Sequence, residues 1–578
     1  MSRICVSLLF LLSLVMMSCS LDRSHQNPET DNPSITGVDV SRTESESNVQ
    51  TTASAITLSK GESSGRQLNT PTAFAGGEQL VGSWSKTRAG QAQFKGIPFA
   101  APPTNEGRFR PPATHVPRTG LQVATKFGPA CVQEQGNANW YRMVAAGVGA
   151  DDVTIPALEN MAEDCLYLNI WTENLDSDKK APVLVWIYGG SNRNGFSHEP
   201  NYHGHNVAAK GVVFVSLNYR VGALGFMSHP ALSAESSHQS SGNYGLLDQI
   251  AALQWVQENI AAFGGDPEAV TVSGESAGAG NSANLIATPL AKGLFKRAIL
   301  QSGGMRMSYR PNLHDNEESG ALLAQGLGID SQKDAASHLR KIPALEIMKK
   351  QRELITAYND VVEDGWVLPK SARSILDSGE YNPVDLLIGS NAQEWLMYYP
   401  ASSGVLEYEQ ALESYGGSHV TAFRQLLDAT NMSPLEKRDF MSSGHSFHCV
   451  ATKLAGSIDQ HGGKAFVYRF SRVRPNAGAL MAYHGAEIPY AFDTADDWLP
   501  ANEQDRLLTD SMLNYWTNFV KTGDPNSADL PVWPAYTQKQ RRYQDLGAII
   551  QSGGDLNREF CALMNRVWDE KLATKTSG

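Results

Sequence analysis

Gly274-Glu275-Ser276-Ala277-Gly278 is the stretch on which the fold turns. The apolar run Val270-Thr271-Val272-Ser273 leads into it. The small residues Ala277-Gly278-Ala279-Gly280 follow and open a helix. This is the strand–turn–helix setting of a nucleophile elbow. Side chains flanking so tight a turn would collide, so glycine stands on both sides. The serine is expected in a strained backbone conformation, its hydroxyl pushed into a cleft. G-x-S-x-G by itself also describes a plain glycine-rich turn, and the rest of the chain must decide between the two.

On either side of the elbow lie apolar runs suited to a parallel sheet buried on both faces. They are Val183–Tyr188, Val212–Leu217, Ala298–Gln301, Asp385–Ile388 and Ala465–Phe470. Leu80–Lys86 and Gln91–Lys95 read as a hairpin turning near Ala89-Gly90, and Leu166–Thr172 alternates like an antiparallel strand. A helix is expected over Asp248–Phe263, with Leu253, Val256, Ile260 and Phe263 on one face and Gly264-Gly265 as its stop. Residues 305–380, with helical patterns at Glu317–Gly326 and Asp334–Lys341, read as an insertion over the cleft. Strand and helix alternate to the end, which predicts one large α/β unit over 76–575.

The chain has 578 residues, a net charge of -12 and 41 % hydrophobic residues, the composition of a globular protein with a large core. Its acidic balance argues against nucleic acid as a partner. Arg3 and the apolar run Val6–Met17, too short to span a bilayer, read as a targeting segment over 1–19. The ending Met16-Met17-Ser18-Cys19 resembles a bacterial lipoprotein signal, with Cys19 the lipidated residue and a membrane tether. An ordinary cleaved secretory signal is the alternative. Both imply export, to the periplasm or outer membrane or to the medium. Residues 20–75 are rich in Ser, Thr, Asn, Glu and Gly and read as a flexible tether. Beyond Cys5 and Cys19 stand Cys131, Cys165, Cys449 and Cys561, an even number in an exported chain. Three pairings are open to them, and free thiols are the alternative.

A serine hydroxyl needs a base to take its proton and a carboxylate to orient that base. After an elbow of this kind the acid and then the base follow on loops behind later strands. The chain has 14 histidines. Ala465–Phe470 is the last strong strand candidate, and His484 alone follows it. Glu394, just past Asp385–Ile388, is the acid. His445 and His448 lie beside Cys449, but they read as helix-face residues rather than metal ligands. An oxyanion hole needs backbone N–H groups behind an early strand. Val183–Tyr188 runs into Gly189-Gly190-Ser191-Asn192, so the donors are Gly190, Ser191 and Ala277.

With these residues in place, the chain resembles the type-B carboxylesterases, from about Leu80 to about Cys561. Phe94-Lys95-Gly96-Ile97-Pro98-Phe99-Ala100, Glu163-Asp164-Cys165-Leu166-Tyr167-Leu168-Asn169, Asn218-Tyr219-Arg220-Val221-Gly222 and Gly242-Asn243-Tyr244-Gly245 carry the likeness, as does Phe263-Gly264-Gly265-Asp266-Pro267 before the elbow. The resemblance implies an α/β-hydrolase fold and the roles already given to Ser276, Glu394 and His484. It also implies the same oxyanion donors, and the pairings Cys131–Cys165 and Cys449–Cys561. No cofactor or metal is implied. Three departures stand out. Ser191 replaces a third glycine, Asn192 replaces an aromatic residue and is expected to alter the pocket wall, and Trp395 follows the acid where glycine is usual. Trp140 does not match the offset of the tryptophan that stacks on choline in cholinesterases, and reads as structural. The expected activity is hydrolysis of short-chain or aromatic carboxylic esters. The alternatives are a specialised esterase for choline, feruloyl or carbamate-type substrates, and a non-catalytic adhesion-type member.

Overall fold

The computed structural model describes residues 70–576, apart from short stretches within 135–136, 151–159, 308–310, 330–333 and 355–359. The expected signal, Cys19 and nearly all of the expected tether lie outside the described residues. The tether was expected to reach residue 75, but Thr72–Ala75 is already a strand, paired antiparallel with Glu78–Val81. The fold therefore begins before the expected boundary.

In chain order the strands are β1 (Thr72–Ala75), β2 (Glu78–Val81), β3 (Ser83–Trp84), β4 (Ala92–Pro98), β5 (Leu121–Val123), β6 (Ala130–Cys131), β7 (Met161–Ala162) and β8 (Tyr167–Thr172). They continue with β9 (Ala181–Ile187), β10 (Val213–Leu217), β11 (Gly265–Glu275), β12 (Arg297–Gln301), β13 (Asp385–Asn391), β14 (Ala465–Phe470), β15 (Arg542–Leu546) and β16 (Ile550–Gly554). Eleven of them form one sheet in the order β3-β4-β8-β10-β9-β11-β12-β13-β14-β15-β16. From β10 to β15 every neighbouring pair is parallel. β8, β4 and β3 on one side and β16 on the other join antiparallel. The sheet is therefore mixed but mostly parallel, and its central runs are apolar because helices cover both faces.

The helices that matter here are α1 (Ala138–Val148), α2 (Tyr244–Asn259), α3 (Ala277–Ala287), α4 (Ala344–Glu353) and α5 (Pro434–Ser443). α2 starts four residues earlier than its pattern suggested, after Asn243 in a left-handed conformation at φ 54°. Its far end tightens into a 3-10 turn, Ile260–Phe263, stopped by Gly264 at φ 76°. The insertion is helical as expected, and α4 sets Met348 and Gln351 against the Gly222–Phe226 segment. Two features were not legible. β15 and β16 extend the sheet beyond β14. Most of their residues are polar, and β16 at the edge is only partly buried, so neither strand shows a strong apolar run. A second helical block fills residues 405–460 and includes α5 and an irregular π turn at Gly444–His448.

Cys131–Cys165 and Cys449–Cys561 both form. They close loops of 34 and 112 residues. By chain entropy each removes roughly 4–5 kcal/mol from the unfolded ensemble.

Candidate active site

β11 ends at Glu275, α3 begins at Ala277, and Ser276 joins them at φ 54°, ψ −122°. Packing dictates the flanking glycines. A Cβ on Gly274 would lie 2.4 Å from the Gly278 carbonyl carbon, and one on Gly278 would lie 2.0 Å from Ile187 O. The turn is pinned on both sides, because Ser276 N–H donates to Gln301 O at 2.9 Å and Gly280 N–H donates to Ser276 O at 2.9 Å. Such a conformation costs about 1–3 kcal/mol and persists because its surroundings over-determine it.

Glu394 sits three residues past β13 and is fully buried. Its Oε1 accepts the Asn391 N–H at 2.7 Å and its Oε2 accepts His484 Nδ1–H at 2.6 Å. Both oxygens are thus committed, and the second fixes the imidazole's tautomer and tilt. The other ring nitrogen, Nε2, lies 3.2 Å from Glu275 Oε1. His484 thus lies between two carboxylates, hydrogen-bonded to Glu394 and within ion-pair distance of Glu275, while Ser276 is half-buried at the elbow. A Cβ on Gly189 would lie 3.0 Å from Ser276 Cβ and 2.7 Å from Glu275 Oε2, which shows how closely turn, serine and carboxylate pack.

Glu275 was quoted in the motif without a role. It is buried, and its surroundings are acidic. Glu487 is also buried, held by Asn391 Nδ2 at 2.5 Å and Gln301 Nε2 at 3.2 Å. Burial works against a charged imidazole, but the charge of Glu275 and the Glu394 hydrogen bond outweigh it and lift the His484 pKa to about 9. Burial raises the Glu275 carboxyl to about 8; His484 opposes this, and Glu487, Glu394 and Glu199 add to it. Each group's charge acts on the other, so the two titrate as a pair rather than singly.

The turn after β9 carries Gly190 at φ 98°, Ser191 at φ 57° and Asn192 at φ 55°. Their chain reversal is closed by Arg193 and Asn194 N–H, each donating to Gly190 O at 3.0 Å. A Cβ on Gly190 would lie 2.4 Å from Asn194 O, so only glycine fits that position. Asn192 is 4 % exposed and its side chain turns inward. There it meets Asn281 and Tyr219. Nearby, Glu199 accepts from Asn137 Nδ2 at 2.9 Å, Tyr141 Oη at 3.1 Å and Phe196 N at 3.3 Å.

Aromatic rings crowd the base. Phe447 stacks on His484 at 5.2 Å between centroids, and Trp395 lies 6.3 Å away, inclined by 5°. Trp395 also stacks on Phe447. Its backbone N–H donates to Asp439 Oδ1 of α5 at 2.7 Å, and burial pushes that carboxyl up to about 7. Trp140 of α1 donates from Nε1 to His484 O at 3.2 Å, so a residue read as structural supports the histidine loop directly. His448 points Nε2 at Asn391 O at 3.0 Å, which agrees with a helix-face role. Among the described residues no His, Cys, Asp and Glu cluster has the makings of a metal site. Glu275 could have been suspected from its place in the motif. Phe447 and Asp439 could not, because they arrive from the unforeseen helical block.

The model of the carboxylesterase family matches residues 65–564. The chain is 34 % identical over 478 residues to fumonisin B1 esterase of Sphingopyxis macrogoltabida, covering 80 % of this chain and 84 % of that relative. It is 32 % identical over 525 residues to liver carboxylesterase 1 of Oryctolagus cuniculus, covering 83 % and 90 %. Among solved structures, a PNB esterase superimposes with a TM-score of 0.73 at 29 % identity, over 86 % of this chain and 99 % of that one. A carboxylesterase of Geobacillus stearothermophilus gives 0.72 at 29 %, over 85 % and 99 %.

Proposed function

This chain belongs to the carboxylesterase family and is a serine carboxylester hydrolase, and from that premise we propose that Ser276, His484 and Glu394 carry the reaction. His484 takes the proton of Ser276 Oγ as the oxygen attacks the ester carbonyl. Glu394 holds the imidazole and stabilises its charged form. The N–H groups of Gly190, Ser191 and Ala277 receive the developing oxyanion. His484 then protonates the departing alcohol. Water enters, gives its proton to His484 and releases the acid from Ser276. The observations that support this most are the 2.6 Å Glu394–His484 bond and the strained serine at a strand–helix turn.

The substrates we propose are short-chain or aromatic esters, on the strength of the Trp395, Phe447 and Tyr398 rings around His484. The test is a screen of p-nitrophenyl esters from acetate to palmitate, with Ser276→Ala as control. Serine-dependent turnover that peaks at short or aryl acyl groups is expected. Undiminished turnover in Ser276→Ala would sink the assignment. A second reading, a bulky natural-product ester, draws on the likeness to fumonisin B1 esterase, so fumonisin B1 belongs in the same screen.

Export through residues 1–19, with lipid on Cys19, is part of the same proposal. Two disulfides suit an oxidising compartment. Palmitate labelling of the wild type that is lost in Cys19→Ala is the expected result. Unlabelled but secreted protein would leave the plain secretory signal.

A further inference from the structure

We propose that Asn192 and Asn281 form a buried amide pair that sets the spacing of the oxyanion hole, a role that rests on the hydrolase reading above. The hole draws its donors from two separate elements. Gly190 and Ser191 belong to the turn after β9, and Ala277 belongs to the first turn of α3. Backbone packing brings the two elements together, with Gly278 against the Ile187 and Tyr188 carbonyls, and the amide pair ties them again beyond that contact. Asn281 stands one helical turn beyond Ala277, and its Nδ2 donates to Asn192 Oδ1 at 2.7 Å. The return contact, Asn192 Nδ2 to Asn281 Oδ1, is 3.4 Å. Asn192 is 4 % and Asn281 1 % exposed, so water offers neither amide a substitute.

The rest of the turn is anchored through the same residue. Tyr219 Oη lies 3.1 Å from Asn192 Oδ1 and 2.9 Å from Tyr188 O. Asn192 O accepts Gly222 N–H at 2.6 Å. Asn192 therefore joins three pieces of the molecule: the nucleophile helix, the end of β9 and the segment under α4. Asparagine also suits the position, because it tolerates a left-handed conformation better than most side chains. A buried amide that loses its partner incurs a desolvation penalty, and the turn must shift to relieve it. A small shift matters, since oxyanion donors act only when aimed at the place where charge develops. Both asparagines are positioning residues and neither touches substrate.

The test uses Asn281→Ala, Asn192→Gly (which keeps the left-handed backbone free of strain) and the double variant, all in the full chain. Active sites are first counted by the burst of p-nitrophenol, so that misfolded protein does not enter kcat. We expect kcat per active site to fall about 10- to 50-fold in each single variant, with KM for p-nitrophenyl butyrate changed less than about threefold. Affinity for an aryl trifluoromethyl ketone, whose hemiketal oxyanion fills the hole, should weaken by the same factor. The double variant should be no worse than the poorer single one, because either change breaks the same bridge. Turnover and ketone affinity within twofold of wild type in either variant would overturn the proposal. So would a multiplicative loss in the double variant, or a loss confined to the active-site count. If Asn281→Ala does not fold, Asn192→Gly decides alone by the same criteria. Wild-type turnover and its loss in Ser276→Ala test the hydrolase reading separately.

Discussion

The two halves of the cleft are made of different material. On the Ser276 side the main chain carries the arrangement. Ser276, Gly190, Ser191 and Asn192 all take positive φ, and Gly274 and Gly278 permit contacts that any Cβ would block. On the His484 side buried charge does the work. Glu394, Glu275 and Glu487 surround one imidazole, and the Phe447 and Trp395 rings lie alongside it. The contrast shows where each half is fragile. A backbone site fails when a Cβ is added, and a charge site fails when a proton's affinity changes.

The largest effect should come from the charge half. His484→Ala removes the base, and kcat on p-nitrophenyl butyrate should fall by about 10⁴-fold or more. A loss of less than tenfold would mean another base serves. The backbone half answers with Gly190→Ala. Its φ of 98° and a 2.4 Å approach to Asn194 O leave no room for a methyl group. We expect about 10²- to 10³-fold lower kcat with little change in KM, the signature of a lost oxyanion donor. An unimpaired Gly190→Ala enzyme would show that the turn is softer than its geometry says.

Glu275→Gln moves the pH profile more than the maximal rate. The wild-type imidazole, raised to about 9, must lose its proton to act, so kcat/KM should rise with pH across the neutral to alkaline range. Removing the Glu275 charge destabilises the imidazolium and lowers its pKa. Neutral base then persists to lower pH, and the acid limb of kcat/KM shifts downward. A limb that stays in place, or moves upward, would show that Glu275 does not govern the base. The smallest effect belongs to Ser191→Gly. Only its N–H is used, so kcat should change less than about threefold. A large loss would give the Ser191 side chain a role of its own.

Much of this was legible along the chain because it depends on local pattern. The elbow and the buried strands are matters of spacing, but the expected hairpin shrinks to Ser83-Trp84 against Gln93 and Ala92, because Leu80 and Val81 pair with β1 and β5 instead. His484 was reachable as the histidine behind Ala465–Phe470, even though β15 and β16 follow that strand in the sheet. Glu394 was reachable for a similar reason. Sequence position puts Asn192 in the oxyanion turn but does not say which way its side chain points. Its partner Asn281 is 89 residues away.

The sequence by itself determined a mostly parallel α/β sheet, a serine elbow and the order of nucleophile, acid and base. Those features follow from apolar periodicity and from the few residues that fit a tight turn. Tertiary structure alone decided the rest. It brought Glu275 to 3.2 Å from His484, placed Phe447 over the imidazole, and joined Asn192 to Asn281. Such contacts depend on how packed elements meet across the core, and the burial they create is what makes each charge and each amide consequential.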